Sequence, residues 1–162
     1  GMAVEEQSAG QRNKEPYNRF ISMNFMICRD AFLKVRFDET FHLGYEDTLF
    51  GMQLEQAGVE ILHIDNPVYH LVEENSEQFL MKIRRAVRNL DGHIEQMHSH
   101  VKLLRWYACV KRLGMAPLVA FLFRQIEKRL VSNLTSRKPS LKLFAFYKLG
   151  YLCNFLSQKK PD

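Results

Sequence analysis

The sequence predicts an α+β fold dominated by helix, in which a few strands precede a long helical tail. Two observations predict it. Before residue 75, apolar and β-branched residues come in short runs, at 20–27 and 59–64, that are typical of strands. After residue 75, apolar residues recur at steps of three and four, which is typical of helices. We therefore predict two domains, 1–75 and 76–162.

The first domain begins with a polar stretch, residues 1–18, that predicts a loop or an arm. The apolar run at 20–27 predicts a buried strand. Asp30 follows and is predicted to cap a short helix from Ala31 to Val35, because a side-chain oxygen at that position accepts from free backbone N–H groups.

A second helix is predicted from Glu46 to Ala57, since acidic residues occupy its first turn and Gly58 stands just past its end. The alternating residues 59–64 predict a second strand. Residues 65–67 (Asp-Asn-Pro) break it, and an extended segment is predicted to resume at 68–71.

The second domain is predicted to be helical throughout. Asn75 and Gln78 have the spacing of a capping box. A heptad-like apolar stripe then predicts one long helix that ends near Gly114: Ile83, Val87, Leu90, Ile94, Met97, Val101 and Leu104. We interpret it as a helix packed on the core, with a homodimer seam as the alternative. Further helices are predicted from Pro117 to about Asn133 and, capped by Ser140, to about Leu156.

Composition limits the class of protein. No run of 18 or more apolar residues predicts a membrane span, and the first residues do not resemble a signal peptide. Three widely spaced cysteines fit neither a disulfide framework nor a zinc site. We predict reduced core cysteines and a cytoplasmic protein.

Charge is distributed unevenly along the chain. Residues 1–100 hold 10 Lys/Arg and 16 Asp/Glu, whereas residues 101–162 hold 13 and 2. A tail this basic, with aromatic residues between its cations, favours an anionic membrane surface as partner. Helices that cover the domain and expose a solvated basic face explain the pattern equally well. Nucleic acid is disfavoured, because no nucleic-acid-binding motif is present.

Glu46 and Asp47 form the one pattern that suggests chemistry. A carboxylate at a helix start is held in its ionised form by the helix dipole and can act as a general base on a hydroxyl. Acidic first turns usually do no more than complement that dipole, so the pair alone is a weak indication of function.

Four short sequence elements, in a fixed order, strengthen the indication that Glu46 and Asp47 are functional. They are Asn24-Phe25-Met26-Ile27 before a basic residue, Phe37-Asp38-Glu39, Gly44-Tyr45-Glu46-Asp47, and a strand that ends at His70. Together, over residues 10–75, they resemble the C-terminal half of the catalytic domain of family 2 glycosyltransferases with a GT-A fold. The resemblance implies a partial GT-A sheet in the first domain.

It also implies transfer of a sugar from a nucleotide-diphosphate donor to a glycan acceptor with inversion, typical of surface polysaccharide synthesis. Asp47 would be the catalytic base, and Glu46 would help to bind or orient the acceptor. Tyr45 would form a wall of the acceptor site or else an aromatic plug, and Asn24 would hydrogen-bond in the cleft or else satisfy only backbone groups. His70 would be a ligand of a divalent metal, Mn or Mg, or else a strand-end histidine bonded to the backbone; both remain open.

The chain departs from the family in having no Asp-x-Asp motif and no nucleotide-binding half before residue 20. We therefore expect it to be inactive by itself and to bind the metal weakly. The alternative hypothesis is a non-catalytic membrane-surface or oligomerisation module that uses the basic helical tail. Either function is consistent with a peripheral location at the inner face of the membrane.

Overall fold

Helices make up all the regular structure in the part of the chain that the computed structural model describes, which is residues 7–39, 41, 44–68 and 74–159. No β-strand occurs among these residues. The prediction of an α+β fold with a partial GT-A sheet is therefore wrong. The chain divides into two compact units, Gly1–Val72 and Glu73–Asp162.

In its described residues, the first unit has three helices, α1 at Ala9–Arg12, α2 at Arg29–Lys34 and α3 at Glu46–Gln56, and a 3₁₀ turn at Tyr17–Arg19. The helix α3 was predicted to within one residue, and Gly58 follows it with φ 65°. Asp30 does not cap α2; it lies in the first turn, and Cys28 occupies the N-cap position.

The core of this unit is aromatic and is built around Phe50 of α3. Phe50 is buried with Phe20, Val35 and Leu54. The ring of Phe37 stacks on that of Phe50 with centroids 4.1 Å apart. This contact fixes the segment between α2 and α3 against the buried face of α3.

The prediction of a strand at 59–64 is wrong, because none of the described residues pairs with this segment as a strand. Its side chains alternate in burial as a strand's would: Val59 and Ile61 pack on the core, while Leu62 and Ile64 are exposed. The Asn13 amide bonds both backbone groups of His63, with Nδ2 donating to its carbonyl (2.9 Å) and Oδ1 accepting from its N–H (2.8 Å). A side chain thus takes the place of a neighbouring strand.

The predicted strand at 20–27 is also absent, because the chain turns at Ser22 and Met23. Phe20 is buried, but Met26 is 96 % exposed. Residues 20–27 therefore do not pack on the core along their whole length. Of the extended segment predicted at 68–71, residues 69–71 lie outside the described residues.

Over residues 74–159, the second unit has a 3₁₀ turn at Asp91–His93 and five α-helices: α4 (Ser76–Asn89), α5 (Ile94–Met97), α6 (Lys102–Arg112), α7 (Ala116–Leu134) and α8 (Leu141–Gln158). The capping box of Asn75 and Gln78 is confirmed, with both reciprocal bonds present. The Ser140 hydroxyl accepts from the Leu143 N–H at the start of α8, as predicted.

The single long helix predicted up to Gly114 is wrong, because the chain breaks after Asn89 and again after Met97. The apolar stripe itself is real. Leu90, Met97 and Leu104 are fully buried, although they stand on different elements. Because of these bends, the stripe packs into the core of the second unit itself. Residues that a homodimer seam would need are therefore buried within one chain.

The helices α7 and α8 form a hairpin in which Gly150 of α8 faces the side chain of Phe123 of α7. A methyl group at position 150 would lie 2.7 Å from the ring of Phe123, well inside van der Waals contact. Glycine therefore allows the two helices to approach. The buried ring of Tyr147 meets that of Phe123 edge to face, with centroids 5.6 Å apart.

The helix α8 is also tied to α4 by two arginines. Arg84 Nε donates to the Tyr147 hydroxyl and Arg88 Nε donates to the Tyr151 hydroxyl, each at 2.6 Å. Both pairs are four residues apart, so they lie one above the other on their helices. A terminal nitrogen of Arg84 also donates to Glu127 Oε1 (2.8 Å). Much of the tail's pairing of aromatic residues with cations is thus internal.

We expect Gly150→Ala to lower the free energy of unfolding by about 1–3 kcal/mol, because the new methyl group overpacks the Phe123 contact. Urea denaturation followed by circular dichroism measures the change. Gly92→Ala is the matched control, since a methyl group there meets no atom within 4 Å. Equal stability of the two variants would show that α7 and α8 are not in close contact.

Candidate functional site

The chain enters α3 through two consecutive residues in the left-handed region. Gly44 has φ 76° and Tyr45 has φ 71°. Glycine adopts this conformation freely, but for tyrosine it costs on the order of 1–3 kcal/mol. Tyr45 is also the N-cap of α3, and its side chain makes no capping bond. The helix therefore begins at a strained residue without the side-chain cap that would stabilise it.

Glu46 and Asp47 occupy the first turn of α3 and each has a covered oxygen. Glu46 Oε2 and Asp47 Oδ1 are buried and have no hydrogen-bond partner among the described residues. A buried acceptor without a donor costs about 1–3 kcal/mol, and such groups are rare in native proteins. The helix N-terminus favours their negative charge. A hydroxyl donor that reached these oxygens would satisfy them.

Tyr45 adds an aromatic ring and a phenol beside the two carboxylates in sequence. Burial raises the pKa of Tyr45 to about 12. The phenol therefore remains protonated at every physiological pH and keeps its capacity to donate a hydrogen bond.

The structure does not bring all the predicted site residues together. Tyr45, Glu46 and Asp47 are consecutive, but Asn24 is exposed and donates to the backbone carbonyl of Asn66 (3.1 Å). His70 lies outside the described residues. The half-buried His63, which the sequence did not assign to the site, has Nε2 2.9 Å from the Pro16 carbonyl and serves to hold the arm.

Sequence reasoning missed Gln53, whose Oε1 is also buried without a partner among the residues described. Gln53 lines a depression of about 350 Å³. The other lining residues stand at or just after the ends of α2 and α3: Lys34, Val35, Arg36, Gln56 and Ala57. The three-residue spacing of Gln53 and Gln56 on one helix face would have been the only indication. Neither Glu46 nor Asp47 lines this depression.

In the described part of the chain, no group of three or more His, Cys, Asp or Glu residues could hold a metal ion. No single helix there is long and apolar enough to cross a membrane. The helices Lys102–Arg112 and Ala116–Leu134 reach that length and apolar composition only together, and the pair is bent by 116°.

Comparison with protein-family models, with curated proteins and with solved structures gave no match to this chain.

We expect stability to fall between pH 10 and pH 12 through Tyr45. Its pKa is about 12 in the folded chain, against an ordinary 10.0, so the unfolded chain loses the proton first as pH rises. Below pH 10 the two states bind the proton equally and stability does not change through this group. Urea unfolding across this range measures the fall.

Tyr45→Phe is expected to reduce that fall, and it should also remove the phenol that ionises near pH 12 in an ultraviolet absorbance titration. Tyr17→Phe, in the same unit, controls for the loss of one phenol. If the ultraviolet titration of Tyr45→Phe showed the same final ionisation step near pH 12 as the parent chain, the burial of the Tyr45 side chain would be contradicted.

Proposed function

We propose that this chain is part of a family 2 glycosyltransferase and carries the acceptor side of its active site. The observation that carries the proposal is the pair of buried carboxylate oxygens, Glu46 Oε2 and Asp47 Oδ1, that lack a donor among the described residues. A sugar acceptor is rich in hydroxyl donors, which are the groups these oxygens lack.

The conformation of the chain before α3 supports the same function. Backbone strain of the kind found at Tyr45 is stored mostly at active sites and ligand clamps. The left-handed turn presents Glu46 and Asp47 at the positive end of α3, and a carboxylate in such a position can act as a general base on a hydroxyl.

In the proposed reaction, Asp47 accepts the proton of an acceptor hydroxyl while that oxygen attacks the anomeric carbon of the donor sugar. The new glycosidic C–O bond forms as the bond from the anomeric carbon to the diphosphate oxygen breaks, and the nucleotide diphosphate leaves from the opposite face. Attack from opposite the leaving group inverts the anomeric carbon. Glu46 accepts a hydrogen bond from a second hydroxyl of the sugar acceptor. Tyr45 contributes an aromatic wall to the binding site.

No sheet occurs among the described residues, so the proposed site is built on the first turn of α3 and not on a partial GT-A sheet. In this proposal, a nucleotide-binding half that carries an Asp-x-Asp motif supplies the ligands for the divalent metal.

Acceptor binding can be measured on the chain as it stands, by saturation-transfer NMR with a panel of glycans. We expect binding that Asp47→Asn and Glu46→Gln each weaken by about tenfold or more, because a hydrogen bond to a charged group contributes about 1.5–3 kcal/mol. Glu60→Gln, the same change at an exposed carboxylate of the same unit, should bind as the parent chain does.

Stability separates this proposal from a purely structural role. If the pair only complements the dipole of α3, Asp47→Asn should lower the free energy of unfolding by about 0.3–1 kcal/mol and leave glycan binding unchanged. If the oxygens serve an acceptor, the variant should be at least as stable as the parent. Retention of full glycan binding by both variants would overturn the assignment.

Transfer itself is tested in a form of the protein that includes a nucleotide-binding half. There Asp47→Asn should abolish turnover while thermal unfolding stays unchanged.

A further inference from the structure

The turn between α6 and α7 carries a set of apolar side chains that nothing in the second unit covers. We call this set the elbow. Its members are all between 44 % and 65 % exposed: Trp106, Leu113, Met115, Leu118, Phe121 and Leu122. Apolar residues this large and this close together along a chain usually mark a surface that contacts something else.

The members are arranged on two helices that meet at the turn. Trp106 lies on α6, and Leu113 is the C-cap that ends this helix at the turn. Leu118, Phe121 and Leu122 lie on one face of the first turns of α7. The two helices are bent by 116° at this turn. The elbow is therefore a sharp corner with apolar side chains on both arms.

Cations surround this corner and acidic residues are absent from it. Residues 96–126 contain no Asp or Glu but include five Lys/Arg. Lys111 and Arg112 flank the turn directly. Along α7, the positions one heptad beyond Phe121 and Leu122 are Lys128 and Arg129, about 10 Å farther from the corner. The apolar residues near the turn are thus followed along α7 by cations. If the turn entered a bilayer, these cations would lie at the level of the lipid headgroups.

We propose that the elbow is a wedge that inserts into the interface of an anionic lipid bilayer. Leu113, Met115 and Leu118 enter the acyl boundary, and the lysines and arginines around them contact the headgroups, with their alkyl stems along the apolar surface. Trp106 sits at the water interface, where an amphipathic indole is favoured.

This inference is independent of glycosyl transfer, because it uses no residue of the first unit. It also differs from the sequence-based hypothesis that the whole basic tail lies on a membrane. In α8, Tyr147 and Tyr151 are buried and bonded to arginines of α4, so they are not available to lipid.

Trp106 is the only tryptophan in the chain, so its fluorescence reports on the elbow alone. With vesicles of phosphatidylcholine and phosphatidylglycerol, we expect its emission to shift to the blue and to be quenched by brominated lipid. Vesicles of phosphatidylcholine alone, or high salt, should give little change, because the cations then gain no headgroup attraction.

Leu113→Ser combined with Leu118→Ser should weaken vesicle binding about tenfold or more, since both side chains lose apolar burial. Met26→Ser combined with Leu62→Ser is the matched control, because those residues are at least as exposed but belong to the first unit. Lys111→Glu with Arg112→Glu should also abolish the anionic preference, whereas Lys34→Glu with Arg36→Glu should not.

Three results would overturn the proposal. The first is an unchanged Trp106 emission with anionic vesicles. The second is equal quenching in purely zwitterionic vesicles, which would remove the role of the cations. The third is a blue shift without lipid that rises with protein concentration and is lost in the Leu113/Leu118 variant, which would make a second copy of this chain the partner.

Discussion

The close approach of α7 and α8 at Gly150 and Phe123 is the constraint on which the rest of the second unit depends. Because Gly150 has no side chain, the Phe123 ring packs directly on α8, and Phe123 and Tyr147 are fully buried together. Tyr147 and Tyr151, which both contact Phe123, also bond the Arg84 and Arg88 guanidinium groups of α4 through their hydroxyls. This packing buries Ala120 and Phe123 of α7 but leaves Leu118, Phe121 and Leu122, and with them the elbow, exposed.

The first unit is constrained by a different requirement, which is to satisfy extended backbone without a sheet. The Asn13 side chain bonds the N–H and carbonyl of His63, and Arg12 donates to the carbonyl of Ile64 (2.8 Å). Side chains can satisfy only a few backbone groups in this way, whereas a strand would satisfy every second residue along the segment. The extended segment is therefore held at one end, and its apolar outer face stays open.

Local and global preferences disagree at the start of α3, and this disagreement is what makes the site notable. Tyr45 holds a conformation that suits glycine, and the carboxylates beside it hold covered oxygens without donors among the described residues. A sequence selected only for stability would place a capping residue there and remove the strain. Stabilisation from the Phe37–Phe50 stack and the surrounding core offsets these local costs.

The sequence by itself determined the features that depend on neighbours along the chain. The bounds of α3, the capping box at Asn75 and the Ser140 cap follow from residues three or four apart, so they could be predicted. Whether 59–64 became a strand, where the stripe after Asn75 bent and which carboxylate oxygens lacked a donor all depend on partners distant in sequence. Only the tertiary structure decided these, because a strand, a bend and an unsatisfied oxygen are each defined by what lies across from them.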